Sequence, residues 1–165
     1  MRRLPYLSLM DTEPSFKRVK GPWPDVPPAR RRVMQGNKAK DTKPEMHVRR
    51  LLHRLGYRFR LHRRDLPGRP DLVFPSRRAV IQVYGCFWHQ HPGCGSASIP
   101  KSRQGYWVPK FEQNVKRDRE SERALAGMGW RVLVVWECEV ADRGRLLERL
   151  QGFLGPPGRA GGRPG

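Results

Sequence analysis

The sequence predicts an α/β fold in which helices flank a mixed central β-sheet. Three observations predict it. Hydrophobic spacing runs helix, three strands, helix, strand, helix. The second helix lies between two strongly apolar strands, so it crosses from one strand to the next. Patterned apolar residues fill only the span 34–154, one domain's worth of a 165-residue chain. The outer segments differ in composition. Residues 1–33 form a basic arm with Pro22, Pro24, Pro27, Pro28, Arg30, Arg31 and Arg32, and residues 155–165 form a Gly/Pro-rich tail. Neither shows an apolar period, and both are expected to be disordered.

Each element has its own signal. Thr42-Lys43-Pro44-Glu45 starts the first helix: Thr42 caps it and Glu45 closes a capping box. Val48, Leu51, Leu52 and Leu55 follow at helical spacing, and Gly56 ends the helix. Tyr57, Phe59 and Leu61 alternate with Arg58, Arg60 and His62, the pattern of a half-buried strand. Leu66-Pro67-Gly68-Arg69-Pro70 turns the chain into a short strand from Asp71 to Phe74, and Pro75 to Arg78 turns it again. Ala79 to Tyr84 has the β-rich apolar character of a central strand. Phe111 to Met128 is a long polar helix with Phe111, Val115, Leu125 and Met128 as core positions, stopped by Gly129. Arg131 to Trp136 is a strongly buried strand, and Leu146, Leu147, Leu150, Phe153 and Leu154 mark a last helix.

Charge narrows the function. Lys plus Arg number 34 and Asp plus Glu 15, a net charge of +19. The isoelectric point is about 11.2 and the mean hydropathy −0.76. No apolar run approaches the roughly 20 residues a bilayer needs, so no membrane span is expected. Self-repulsion on this scale calls for a polyanionic partner, nucleic acid before an anionic membrane, which would want a basic amphipathic helix with one clean apolar face. Arg49, Arg50, Arg54, Arg58, Arg60, Arg63 and Arg64 form one basic group, and Arg103, Lys110, Lys116, Arg117 and Arg119 a second. The stretch Leu4 to Met10 is short, broken by Pro5 and followed by Asp11 and Glu13, so no secretory signal is read and a cytoplasmic location is expected.

The three cysteines cannot all pair with one another. Cys86, His91 and Cys94 lie within nine residues, and Cys138 follows the strand that ends at Trp136. Thiolate and imidazole are the ligands of tetrahedral Zn²⁺, and four protein ligands make a closed, structural site. The alternative is three small core cysteines and a surface histidine. Asp71, after Pro70 at a strand start, can hold Mg²⁺ for phosphodiester chemistry or serve as turn chemistry. Nucleases of the restriction-endonuclease fold place Pro-Asp at this point, with a second acid, a spacer and a lysine where Gln82, Val83 and Tyr84 stand here. His89, held inside the Cys86–Cys94 loop, can act as general base. Glu45 is the third candidate, cap or functional acid. Phe87 and Trp88 in that loop are core aromatics or wedges for DNA, because unstacking a base step costs less at a mismatch.

Gly85-Cys86-Phe87-Trp88-His89, Asp41-Thr42-Lys43-Pro44-Glu45, Leu66-Pro67-Gly68-Arg69-Pro70-Asp71 and Gly129-Trp130-Arg131-Val132 through Val135-Trp136-Glu137-Cys138 appear in the order found in the very short patch repair endonucleases. The chain resembles that family from about Met34 to Cys138. The resemblance implies a restriction-endonuclease-like fold with a structural Zn²⁺ and a catalytic Mg²⁺. It implies a nick in one strand of double-stranded DNA, 5′ to the T of a T:G mismatch left by 5-methylcytosine deamination. Asp71 then matches the Mg²⁺-binding aspartate and Val83 the residue whose carbonyl meets that metal. His89 matches the catalytic histidine and Glu45 the active-site glutamate. Cys86, His91, Cys94 and Cys138 match the zinc ligands. Phe87, Trp88 and Trp107 match the aromatics that wedge beside the mismatch, and Met34 the residue that enters from the other side.

The resemblance further implies a monomeric bacterial enzyme associated with the nucleoid, linked to a cytosine-5 DNA methyltransferase and to general mismatch-repair proteins. Departures are visible. Tyr84 stands where some members carry a second active-site histidine. The His91–Cys94 spacing is one residue longer than in a well-known member. Gly36-Asn37 interrupts a segment that is usually more basic and apolar, and the N-terminal arm is long and Pro-rich. Two other functions fit the residues: a nuclease of this fold with another DNA target, and a zinc-stapled DNA-binding module without catalysis.

Overall fold

The structure is a computed structural model that describes residues 40–158. Met34, the residues 1–33 and the end of the C-terminal tail lie outside the described residues. The described elements are α1 (Lys43–Arg54), β1 (Arg60–Leu61), β2 (Leu72–Phe74), β3 (Ala79–Tyr84), α2 (Gln104–Gly127), β4 (Arg131–Trp136) and α3 (Arg143–Leu154). Short 3₁₀ turns at Pro75–Arg77, Gly95–Ala97 and Glu137–Ala141 join them. The order matches the periodicity. The sheet is mixed, in the order β1-β2-β3-β4. β1 and β2, and β2 and β3, pair antiparallel, while β4 lies parallel to β3 after the α2 crossover.

Alternation along β3 divides the core. Ala79, Ile81 and Val83 join Val48, Leu51 and Leu52 of α1 and Leu146, Leu150 and Leu154 of α3 in one cluster. Val80 joins Val73, Leu66, Leu125 and Trp130 in a second, beside α2. Thus α1 and α3 cover one face and α2 the other, because successive strand side chains point to opposite faces. Burying each large aliphatic contributes about 2 kcal/mol.

Four expectations change. The strand expected from Tyr57 to His62 shrinks to two residues, because β2 offers only three residues to pair with and Tyr57 and Phe59 turn to pack on Phe74 instead. The second helix begins at Gln104 rather than Phe111, with Pro109 inside it. A proline this near the start removes one ladder bond, and the stacking of Trp107 on Phe111 across it holds the turn. Met128, expected in the core, is 46% exposed, because the helix ends at Gly127 and Trp130 takes the buried place. β4 is an edge strand, mostly half-buried rather than buried, with Arg149 donating to the Val134 carbonyl on its open side.

The carbonyls at the end of α3, which have no helical partner, are met by side chains from elsewhere. Arg131 donates to Phe153 O at 2.7 Å, Arg77 to Leu154 O and Pro156 O, and Tyr57 to Gly155 O at 2.5 Å.

The Leu66–Pro70 turn lies directly against α2. Gly68 has φ +68°, and a Cβ there would stand 2.7 Å from Ser121 Cβ. Gly68→Ala is therefore expected to cost about 2 kcal/mol, from left-handed strain plus the clash. Thermal or urea unfolding checks this. The same substitution at Gly93, also at positive φ but with open space around it, should cost less.

Candidate active site

The C-terminal end of β3 gathers the candidate residues. β2 pairs only with residues 79–81 of β3, so on that edge Val83 has no strand partner. Its N–H donates instead to Asp71 Oδ2 at 2.7 Å. One residue on, the Tyr84 ring carries the His89 imidazole in a parallel stack, centroids 4.1 Å apart and planes 1° from parallel. Asp71 and His89 thus bear on adjacent residues of one strand, close enough to interact electrostatically. Burial raises the Asp71 pKa from 3.8 to about 6 despite the Val83 amide, which pulls the other way.

His89 is fixed on a second side. Its Nδ1 lies 2.5 Å from Asp118 Oδ2 on α2, and its main-chain N–H donates to Gly85 O at 3.1 Å. Asn114 donates to Trp88 O at 3.0 Å, and Gln90 to Phe87 O at 2.7 Å, so the loop is held from within and from α2. The Tyr84 hydroxyl donates to Gln82 Oε1 and lies 3.3 Å from Glu122 Oε1. Burial, then the carboxylates of Asp118 and Glu122, raise its pKa above the ordinary tyrosine value.

Glu45 resolves as both cap and site residue. Its Oε2 accepts the Thr42 N–H at 3.2 Å, closing the capping box. Its Oε1 takes an ion pair from Arg49 and lies 3.1 Å from His62 Nε2. Arg49 also donates to Asp41 at 2.6 Å. It is 8% exposed, so it does not belong with the surface basic residues among which its sequence position placed it. His62 Nδ1 faces Asp71 Oδ1 at 3.8 Å, which links the α1 acid to the acid that precedes β2. Burial, and secondarily Arg49, lower the His62 pKa. The guanidinium stands among Asp41, Glu45 and His62, three groups whose ligand atoms could otherwise hold a cation.

Sequence reasoning missed His62, Asp118, Glu122 and the role of Arg49. His62 gave no signal beyond strand alternation. It sits at φ +45°, a conformation rare for a residue with a Cβ. Asp118 and Glu122 did leave one. Phe111, Asn114, Asp118, Glu122 and Leu125 fall on one stripe of α2 whose ends are buried, so the polar middle faces the protein.

Behind the loop, Cys86, His91, Cys94 and Cys138 place one ligand atom each within 4.8 Å of one another. His91 Nδ1 is 3.7 Å from Cys86 Sγ and 3.4 Å from Cys138 Sγ. A tetrahedral zinc site with bonds of about 2.3 Å to sulfur and 2.0 Å to nitrogen has S···N edges of about 3.6 Å, so the donor set fits that ion. Trp136 stacks on His91 at 4.2 Å, and His91 N–H donates to Cys86 O at 3.0 Å. Burial raises the Cys86 pKa, whereas the Ser96 main chain lowers that of Cys94. A divalent cation would favour the thiolate at both.

The aromatics form a patch rather than a core. Phe87 touches Trp88, Trp107 and Phe111 with centroids 5.0–5.5 Å apart, and Trp88 and Trp107 lie 6.0 Å apart. Phe111 is buried beneath them while Phe87, Trp88 and Trp107 stay half-exposed. Trp107 lies inside α2, in its first turns. No described helix is long and apolar enough to cross a membrane.

Comparison with known proteins follows the same lines. The family model for the DNA mismatch endonuclease Vsr matches residues 25–94. The chain is 58% identical over 130 residues to the type II nicking enzyme V.XorIIP of Xanthomonas oryzae pv. oryzae, covering 79% of this chain and 95% of that one. It is 40% identical over 119 residues to the DNA mismatch endonuclease Vsr of Escherichia coli, covering 72% and 76%. It is 39% identical over 118 residues to the type II nicking enzyme V.NmeAIP of Neisseria meningitidis, covering 72% and 84%.

The raised pKa of Asp71 has a stability consequence. The folded state holds this proton more tightly than the unfolded state, so burying Asp71 costs nothing below about pH 4. The cost grows as pH rises to about 6 and is complete above it. In magnesium-free buffer, Asp71→Asn should therefore melt higher than the parent at pH 8, by about 2 kcal/mol, with the gap closing at pH 4. Added Mg²⁺ should raise the melting temperature of the parent and not of the variant. Equal melting curves at pH 8 would refute the buried-carboxylate reading.

Proposed function

Since the chain belongs to the DNA mismatch endonuclease Vsr family, a family of DNA-nicking enzymes, we propose that it nicks one strand of double-stranded DNA 5′ to the T of a T:G mismatch. In this reading the domain has a restriction-endonuclease-like fold with a structural Zn²⁺, and the reaction is Mg²⁺-dependent hydrolysis. The observation that carries it is the meeting of Asp71 and His89 at Val83 and Tyr84 of β3.

Asp71 holds Mg²⁺ together with the Val83 carbonyl. A strand residue points its N–H and C=O to the same side, so the carbonyl shares the edge on which the Val83 N–H meets Asp71. When bound, Mg²⁺ supplies Lewis-acid charge for the scissile phosphate. Asp118 fixes His89 through Nδ1, which leaves Nε2 to take the proton from the attacking water. Asp118 then stabilises the imidazolium that forms. Glu45, paired with Arg49, orients His62 against Asp71. Cys86, His91, Cys94 and Cys138 hold Zn²⁺, which ties the loop after β3 to the turn after β4. Phe87, Trp88 and Trp107 wedge beside the mismatch; Phe87 and Trp107 rest on buried Phe111, and Trp88 packs against both. Met34 enters from the other side.

The direct test is nicking of an end-labelled T:G duplex in Mg²⁺. Parent protein should cut 5′ to the T, and Asp71→Ala and His89→Ala should each lose about 10²- to 10⁴-fold in rate. Equal cutting of T:G, other mismatched and fully paired duplexes would mean another DNA target. Tight binding without a nick under any divalent metal would mean a binding module.

The metal at the cysteines has its own test. Purified protein should carry about one equivalent of zinc. Its removal should lower the melting temperature and release the Cys86–Cys94 loop. An unchanged melt without metal would leave the cysteines as packing residues only.

A further inference from the structure

Tyr84 is the feature that this function does not absorb: it occupies a histidine position of the family, and a phenol is no substitute for an imidazole in proton transfer. Its geometry assigns it other work. The ring is 8% exposed and lies flat against the imidazole of His89. On the remaining sides the ring is braced. Trp136 meets it edge-on at 5.6 Å, while Gln82 and Glu122 hold its hydroxyl. That hydroxyl has one hydrogen and two acceptors, both belonging to the protein, so it is committed to anchoring the ring. Gln82 and Tyr84 alternate onto the α2 face of β3, where Glu122 and Asp118 lie one helical turn apart. Glu122 holds the ring and Asp118 holds the imidazole on it. The histidine is therefore fixed by its edge and by its face from the same two elements.

We propose that Tyr84 is a positioning residue which acts through its ring face, setting the plane in which the His89 imidazole meets the DNA, and that its hydroxyl takes no part in proton transfer. An imidazole held only through Nδ1 can rotate about that bond, and a parallel ring 4.1 Å away removes this freedom. The stack itself is read from the structure alone; its catalytic weight rests on the role of His89 proposed above.

The test separates the two. In the zinc-loaded full chain without DNA, the carbon-bound ring protons of His89 should be shifted upfield by the tyrosine ring current. Tyr84→Phe keeps the face and should keep both the shift and most of kcat. Tyr84→Leu keeps the bulk without the face. It should lose the shift and lower kcat on the T:G duplex by roughly 10- to 100-fold, with KM little changed. Tyr84→Ala should behave the same way where it still melts cooperatively. Loss of kcat in Tyr84→Phe equal to that in Tyr84→Leu would assign the work to the hydroxyl and overturn the proposal. Full activity in Tyr84→Leu, or no upfield shift in the parent, would also overturn it. Because the shift is read without substrate, it decides the stack even where the parent fails to nick T:G DNA.

Discussion

A buried main-chain amide must find a partner, and at Val83 the sheet does not supply one. β2 is three residues long, while β4 accompanies all six residues of β3 on the other edge. The Asp71 carboxylate fills the gap left where β2 has not begun. The Pro70-Asp71 turn therefore does two things at once: it starts β2 at Leu72 and supplies the acceptor that this late start makes necessary. The cost is a carboxylate deep enough for its pKa to rise to about 6. A domain selected only for stability would fill this place with a neutral acceptor. A charge kept here against desolvation points to use.

The second constraint comes from α2. A helix of 24 residues crossing one face of a sheet should bury an apolar stripe. Phe111 and Leu125 begin and end such a stripe, but Asn114, Asp118 and Glu122 fill its middle. Each finds its partner at the end of β3 or in the loop that follows: Trp88 O, His89 and Tyr84 respectively. Helical spacing converts three positions along one element into three contacts along one bent segment of chain. Cys86, His91, Cys94 and Cys138 gather in and beside the same loop. His89 is held between Asp118 of α2 and the Tyr84 ring of β3, the rigidity that the proposed proton transfer would require.

These constraints explain what was legible in the sequence. Element order and the central position of β3 followed from the periods of apolar residues, which report burial directly. The convergence of Cys86, His91, Cys94 and Cys138 was legible because few other arrangements bring thiols and an imidazole to two strand ends. Boundaries failed where packing overrode local chemistry. The second helix was expected to start at Phe111, yet it begins at Gln104, and Trp107 and Phe111 stack across Pro109. Tyr57, Arg58, Phe59 and His62 belonged to an alternation that β2 was too short to pair beyond Arg60 and Leu61. Residues acting through space were hardest to find. Nothing in Arg58-Phe59-Arg60-Leu61-His62 announces that the last of these reaches Glu45 and Asp71. Arg49, one of many arginines, is distinguished only by burial. Asp118 was readable in principle, as a charge on the inward stripe of a helix.

The distribution of charge carries the last step. The chain as a whole bears +19, a field that draws a polyanion toward any part of its surface. The end of β3 is different, for Asp71, Asp118, Glu122 and Glu45 converge there with Arg49 and two histidines. A phosphodiester attracted by the exterior meets carboxylates at the point where it would be cut. Arg49 does not relieve this, because it is occupied with Asp41 and Glu45 and is buried beneath them. A divalent cation on Asp71 would offset most of this negative charge and lower the cost of ionising that buried acid in the same act. On the proposed function, the positive exterior supplies affinity, and a cation on Asp71 is what would join the phosphodiester to the acidic end of β3.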